Sequence, residues 1–252
     1  IYKQDMNGFY GSSPFNFSYD VYGKTKGLRK KRKEEKKEKE DYARIYGCKP
    51  EQITSELDDV FKEDSNIVVF IGGIEFTNKE LPKTLEHVSG NLQSNSKNAK
   101  LPKNLEYVSG DLYLESLKPA KGLKLPETVG GDLYLYSLTS AEGLVLPETI
   151  GGSIWLTSLT SAKGLVLPET VGGTLWLSSL KSAKGLEFPE TVGGYLFLSS
   201  LTSAEGLESL DYTGVRGIVW LPKAFSTKDK EKVEKIKIEQ AKKGINVNFT
   251  YK

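Results

Sequence analysis

A repeat solenoid is the fold class that this sequence predicts, and three observations carry the prediction. The run Leu125, Pro126, Glu127, Thr128, Val129, Gly130, Gly131 returns from Leu146, from Leu167 and, with a changed first residue, from Phe188, always 21 positions on. Within each copy apolar residues alternate with polar or aromatic ones, as in Asp132, Leu133, Tyr134, Leu135, Tyr136. A proline and a glycine pair punctuate every copy at the same place. A fixed period of this length makes each copy one turn of chain that cannot bury its apolar side alone and must stack on its neighbours.

The alternation places Leu133 and Leu135 inward and Asp132, Tyr134 and Tyr136 outward, one strand per coil. A second alternation, Leu144, Val145, Leu146, is stopped by Pro147 and predicts a second short strand. Gly130 and Gly131 are expected to permit a sharp bend into the next strand, and Leu138, Ala141 and Leu144 to complete the inward set. Degenerate copies open at Leu101 and Leu81, and an imperfect last turn surrounds Gly217, Ile218, Val219, Trp220 and Leu221. The solenoid is therefore expected over 81–222, with five to seven coils in all and atypical ends that act as capping turns.

The unit Leu-Pro-x-x-Val-Gly-Gly-x-Leu-x-Leu-x-x-Leu resembles bacterial leucine-rich repeats. Residues 143–151 are similar to the surface-protein type, and the Leu-x-Leu core is similar to the short repeats of secreted bacterial effectors. The resemblance covers roughly 81–221. It implies leucine-rich-repeat-like parallel β coils, a bacterial or phage source and a binding role, with no common catalytic residue. The family's Asn, three residues after the second strand Leu, is replaced here by Leu138, Leu159, Leu180 and Leu201, so Ser137, Ser158, Ser179 and Ser200 are expected to satisfy the corner instead.

Residues 1–23 hold seven aromatics, Tyr2, Phe9, Tyr10, Phe15, Phe17, Tyr19 and Tyr22, without helical period, and read as an extended arm that packs on the chain's own body or on another subunit. Residues 24–47 form a charged segment, helical over 28–46, with Lys30/Glu34, Lys31/Glu35, Glu35/Lys39 and Lys36/Glu40 at i,i+4 spacing and polarity nearly all round. Residues 48–80 are expected to cap the array with a helix over 51–63, buried through Ile53, Leu57, Val60 and Phe61, and a strand over 67–71. Residues 223–252 cap the other end with a helix over 226–243, inward at Val233, Ile236, Gln240 and Ala241, stopped by Gly244 and followed by a strand over 246–251.

Composition narrows the chemistry. The 35 Lys and Arg nearly balance 33 Asp and Glu, so net charge selects no partner. One cysteine, Cys48, and one histidine, His87, exclude a disulfide framework, leave too few soft ligands for a structural zinc site, and suit a reducing, intracellular compartment. The longest apolar run, 67–71, is far below the roughly 20 residues of a membrane span. No cofactor or metal is expected. His87 aligns with Tyr107 of the next copy and reads as structural, and Glu127, Glu148, Glu169 and Glu190 line up as a solvated row.

The most informative column is the middle outward position of the first strand: Tyr113, Tyr134, Trp155, Trp176, Phe197 and Trp220, aromatic in every coil. At a strand spacing of about 4.8 Å the six rings make a ladder about 24 Å long. They either stiffen the sheet or offer a recognition surface with open ring faces beside Ser153, Thr157, Thr174 and Ser178. Asp111, Glu115 and Asp132 flank one end and no basic residue stands along the column, which disfavours a phosphate backbone there. Tyrosine and tryptophan dominate protein interfaces. The expected function is a non-enzymatic scaffold or assembly subunit that binds a protein through this ladder. Two alternatives use other chemistry: a carbohydrate surface or adhesin on the same rings, and a nucleic-acid-associated protein that meets phosphate or an acidic partner through Lys24, Lys26, Arg29, Lys30, Lys31, Arg32 and Lys33.

Overall fold

The computed structural model describes residues 26–252 other than 63, 78, 119–121 and 211, and gives the backbone alone for 26–33. The chain divides into two compact units, 1–38 and 39–252. In the first unit the described residues are helical, the opening turns of α1 (Lys26–Tyr46). The arm expected over 1–23 lies outside the described residues.

The second unit is a parallel β-solenoid. Among the described residues its strands form two sheets, one of eight strands running from Ile53–Thr54 through Val69–Phe70 and His87–Val88 to Thr191–Val192, the other of nine running from Ile74–Phe76 through Leu92–Ser94 and Leu112–Tyr113 to Phe249–Tyr251. Each repeat gives one strand to each sheet, for example Thr128–Val129 and Leu133–Tyr134. The register advances by one repeat per coil: Val129 pairs with Ile150, and Leu133 with Ile154.

The two strands of a coil thus flank the glycine pair. The expected strand over Leu144, Val145 and Leu146 is reduced to an isolated bridge between Lys124 and Val145. Pro126, Pro147, Pro168 and Pro189 occupy this third side, and a residue without an N–H cannot propagate a ladder. The inward columns are closed to solvent. Val129, Leu133, Leu135, Leu138 and Ala141, and in the next coils Ile154, Leu156, Leu159 and Leu175, Leu177, Leu180, are all at 0–1 % exposure. Each such leucine contributes about 2 kcal/mol of burial, realised only when coils stack on both sides.

The glycine pairs serve a different purpose from the bend inferred from sequence. Neither Gly130 nor Gly131 has positive φ. A Cβ on Gly130, Gly151, Gly172 or Gly193 would stand 1.9–2.3 Å from the carbonyl oxygen of the previous coil, so close backbone approach demands the absent side chain. The left-handed turns lie elsewhere in the repeat, at Gly143, Gly164, Gly185 and Gly206.

Both ends differ in part from expectation. The helix expected over 51–63 is replaced by a 3-10 turn Pro50–Gln52, the strand Ile53–Thr54 and a single turn α2 (Leu57–Val60). Ile53 finds a sheet partner in Val69, and the Thr54 hydroxyl accepts from Glu56 N–H at 3.0 Å, a local bond that ends the strand and competes with helix. Leu57 stays exposed. The last turns of α1 are packed, contrary to the all-round polarity expected. Tyr42 and Ala43 are buried against Ile53, Val68 and Val69. At the other end α3 (Thr227–Lys242) buries Val233 and Ile236 but leaves Ala241 exposed. Ser226 caps it, its Oγ accepting from Asp229 N–H at 3.2 Å, while Asp229 Oδ1 accepts from Ala204 N–H at 2.9 Å and ties the cap to the last full coil. Phe249–Tyr251 then adds a final strand beside Val219–Leu221.

Candidate binding surface on the second sheet

The sheet register brings all six predicted rings into one outward column. Tyr113 pairs with Tyr134, Tyr134 with Trp155, Trp155 with Trp176, Trp176 with Phe197, and Phe197 with Trp220. Parallel in-register pairing makes identical positions neighbours in space, so a 21-residue period in sequence becomes a strand-spacing period in the fold.

The rings lie face to face along the column. Successive centroids are 4.4, 5.8, 4.4, 3.8 and 5.7 Å apart, with interplanar angles of 4°, 16°, 10°, 7° and 3°. This corrects the expectation of open faces: Tyr134, Trp155, Trp176 and Phe197 each have both faces covered by neighbouring rings, and solvent meets ring edges. Phe197, clamped between two indoles, is 8 % exposed, whereas the other five rings are half-buried. Tyr136 meets Trp155 edge-on at 5.6 Å, and Tyr195, 47 % exposed, meets Phe197 edge-on at 6.2 Å. The stack contributes to stability, about 1 kcal/mol per ring pair beyond burial.

A polar ladder runs beside the aromatic one, in the position just after the glycines. Asn91 Oδ1 accepts from Asp111 N–H at 2.8 Å, Asp111 Oδ1 from Asp132 N–H at 2.8 Å, Asp132 Oδ1 from Ser153 N–H at 2.7 Å, Ser153 Oγ from Thr174 N–H at 3.0 Å, and Thr174 Oγ1 from Tyr195 N–H at 3.1 Å. These residues bridge the coils at the corner between the two strands; at the corner after the second strand, where Ser137, Ser158, Ser179 and Ser200 were expected to act, backbone bonds such as Leu138 N–H to Leu135 O at 3.2 Å and Ser137 N–H to Glu115 O at 3.1 Å satisfy the chain. The next glycine's missing Cβ makes room for the ladder side chains, since a methyl on Gly152 would stand 2.1 Å from Asp132 Oδ1. Alternation alone could not distinguish these polar residues from solvated ones, although their fixed place after each glycine pair was a visible signal.

The two ladders are joined at their acidic end. Tyr113 OH donates to Asp111 Oδ2 at 2.8 Å, Tyr134 OH to Asp132 Oδ2 at 3.1 Å, and Trp155 Nε1–H to Asp132 Oδ2 at 3.3 Å. Burial, followed by the Asp111 hydrogen bond and charge, pushes the Tyr113 phenol up to about 12. Burial and the Asp132 carboxylate raise Tyr134 as well. Farther along, Trp176 Nε1 and Trp220 Nε1 are buried without a hydrogen-bond partner among the described residues.

One cation escaped the sequence reading. The last strand carries Lys252 to the far end of the column, its Nζ 6.0 Å from the Phe197 ring centroid and 5.8 Å from that of Trp220. The face is therefore polarised, with Asp111, Glu115 and Asp132 at one end and an ammonium at the other. Lys24 lies outside the described residues. Lys26, Arg29, Lys30, Lys31, Arg32 and Lys33 lie on the helical backbone of α1 in the first unit, and their side chains are outside the described residues. Among the described residues no group of three or more His, Cys, Asp or Glu is placed to hold a metal ion, and no helix is long and apolar enough to cross a membrane. Neither a protein-family model, nor a curated protein, nor a solved structure matches this chain.

Proposed function

We propose that the chain is a protein-binding solenoid of the leucine-rich-repeat kind, whose docking face is the outer side of the nine-stranded sheet. One observation carries the reading: an aromatic column continues through six coils on a parallel sheet, half-buried in every coil but that of Phe197, and is flanked by short hydroxyl residues and by the edge-on rings Tyr136 and Tyr195. A row of ring edges over small side chains is a flat, dehydrated and conformationally fixed surface, so a partner that covers it loses little side-chain entropy. The polarity of the face, acidic at Asp111 and Asp132 and cationic at Lys252, would set the direction in which a partner lies.

The same geometry weighs against a carbohydrate platform. A sugar packs its C–H groups on an open ring face, and the four inner rings have none. The leucine-rich-repeat assignment rests on the Leu-x-Leu columns and the coil-to-coil side-chain ladder, here moved from the family's Asn position to the residue after the glycine pair.

The test is affinity capture from the native source with identification by mass spectrometry, comparing the wild type with Tyr195→Ser and with Trp155→Ala/Trp176→Ala. Tyr195→Ser alters the exposed edge and leaves the stack in place. A protein captured by the wild type and lost with both variants supports the proposal. Equal capture by all three, with only thermal stability reduced in the double variant, would overturn it and make the ladder a purely internal reinforcement.

A further inference from the structure

Away from the ladder, the outer face of the eight-stranded sheet carries an open hollow of about 290 Å³ lined by Tyr46, His87, Glu106, Tyr107, Glu127 and Thr128. Its walls are aromatic. The Tyr46 ring stands 4.3 Å from His87, and His87 stands 6.4 Å from Tyr107. These positions follow from the fold: His87, Tyr107 and Thr128 are consecutive members of the outward column of the sheet, and the last turn of α1 brings Tyr46 over the first of them.

The rim is acidic. Glu106 N–H donates to the Glu86 carbonyl and Thr128 N–H to the Glu106 carbonyl, so Glu86, Glu106 and Glu127 come from successive coils at one position of the repeat. Glu106 and Glu127 are exposed and have no ion-pair partner among the described residues. Burial first, and the neighbouring Glu106 charge second, raise the Glu86 carboxyl. His87 adds no opposing charge. Burial holds its imidazole below the usual value despite Glu106, and its Nδ1 is buried without a hydrogen-bond partner.

We infer that this hollow is a second binding site, which takes the cationic side chain of an arginine or lysine from a basic peptide. Ring faces attract a cation through their quadrupoles, and the attraction strengthens where water is partly excluded. The carboxylates at the rim supply the counter-charge, and a volume of this size admits one guanidinium or ammonium head with a few waters, each of which needs about 30 Å³. An anionic ligand would meet the uncompensated glutamates, and a neutral apolar one would make no use of their charge. The site does not depend on the ladder and stands or falls apart from it.

The chain's single histidine makes the test local. The imidazole Cε1–Hε1 signal of the full chain is followed by NMR at pH 8 while N-acetyl-arginine methylamide or N-acetyl-lysine methylamide is titrated. N-acetyl-citrulline methylamide serves as the neutral isostere and sodium chloride as the ionic control. A saturable shift with a Kd of about 1–10 mM is expected for at least one cation, as suits a single exposed cation–aromatic contact with two carboxylates. Glu106→Gln/Glu127→Gln should weaken it about fivefold or more, and Tyr107→Leu about threefold. Tryptophan fluorescence, which reports the ladder, should be unchanged in both variants. A site for an arginine alone or a lysine alone supports the proposal equally. A shift equal for citrulline or for sodium chloride, no saturable shift, or an affinity untouched by both variants would overturn it.

Discussion

Replacing Gly172 by alanine tests whether the glycine pairs exist for close approach rather than for backbone freedom. The added Cβ would lie 1.9 Å from Gly151 O and 2.7 Å from Gly151 C, both backbone atoms of the coil below. Reaching an ordinary contact of about 3.4 Å requires the two coils to part by roughly 1.5 Å, and a gap of even 1 Å forfeits up to about half of the dispersion well between the facing atoms. The bonds from Gly172 N–H to Ile150 O, 3.1 Å, and from Gly173 N–H to Gly152 O, 2.8 Å, cross the same seam and are worth about 1 kcal/mol each. Together these put the cost at about 3 kcal/mol or more. Gly185 is the control. It has φ +72° with nothing within 4 Å of its Cβ position, so Gly185→Ala costs only the left-handed conformation, about 1 kcal/mol. Urea unfolding followed by tryptophan fluorescence reads both variants at the stacked coils, because Trp155, Trp176 and Trp220 all stand in the ladder. Gly172→Ala no more destabilising than Gly185→Ala would refute the close-approach argument.

Three further outcomes follow from the ladders and from the hollow. Asp132→Ala should cost about 2–3 kcal/mol in the same urea assay, against about 1 for Ser153→Ala, because Asp132 accepts from Ser153 N–H, Tyr134 OH and Trp155 Nε1–H whereas Ser153 accepts from one amide; equal losses would show that the carboxylate's two ring contacts carry nothing. Tyr113, raised to about 12, should remain protonated at pH 11, so the ultraviolet difference titration of wild type against Tyr113→Phe should show its phenolate appearing only near pH 12. The associated stability is whole below the unfolded phenol's value of about 10 and is lost as pH rises through the folded one; a phenolate already formed at pH 10 would contradict the burial of the ring and its Asp111 contact. His87 should titrate by NMR below the ordinary imidazole value of about 6.5, with its contribution to stability present above that value and lost as pH falls through the folded one; a midpoint at or above 6.5 would mean that Glu106, rather than burial, governs it.

Much of this architecture was legible in the chain. The 21-residue period and the alternation around Leu133 and Leu135 name the inward columns, and the aromatic position repeats so strictly that parallel stacking alone makes it a ladder. Local pattern misled at 51–63, where apolar residues at helical spacing were present but Ile53 gained more from pairing with Val69 than from a helical neighbour. It also misled at Leu144, Val145 and Leu146, whose alternation is genuine while the prolines deny that side a ladder. The hollow beside His87 was not readable, because Tyr46 is far from Tyr107 in sequence and its helix looked wholly solvated.

By itself, then, the sequence determined that the chain is a stack of equal coils, which residues turn inward, and which six rings stand in line, since a strict period forces the same side chain into the same environment in each turn. Only the tertiary structure decided how those side chains meet. Ring faces turned toward each other because adjacent strands hold them closer than solvent can enter; the glycines proved to be sites of backbone approach because the next coil lies directly above them; and Asp111 and Asp132 became hydrogen-bond acceptors because an unpaired amide from the following coil stands within reach. Each of these is a relation between residues about one coil apart, set by the distance between coils, and that distance is a property of the packed stack.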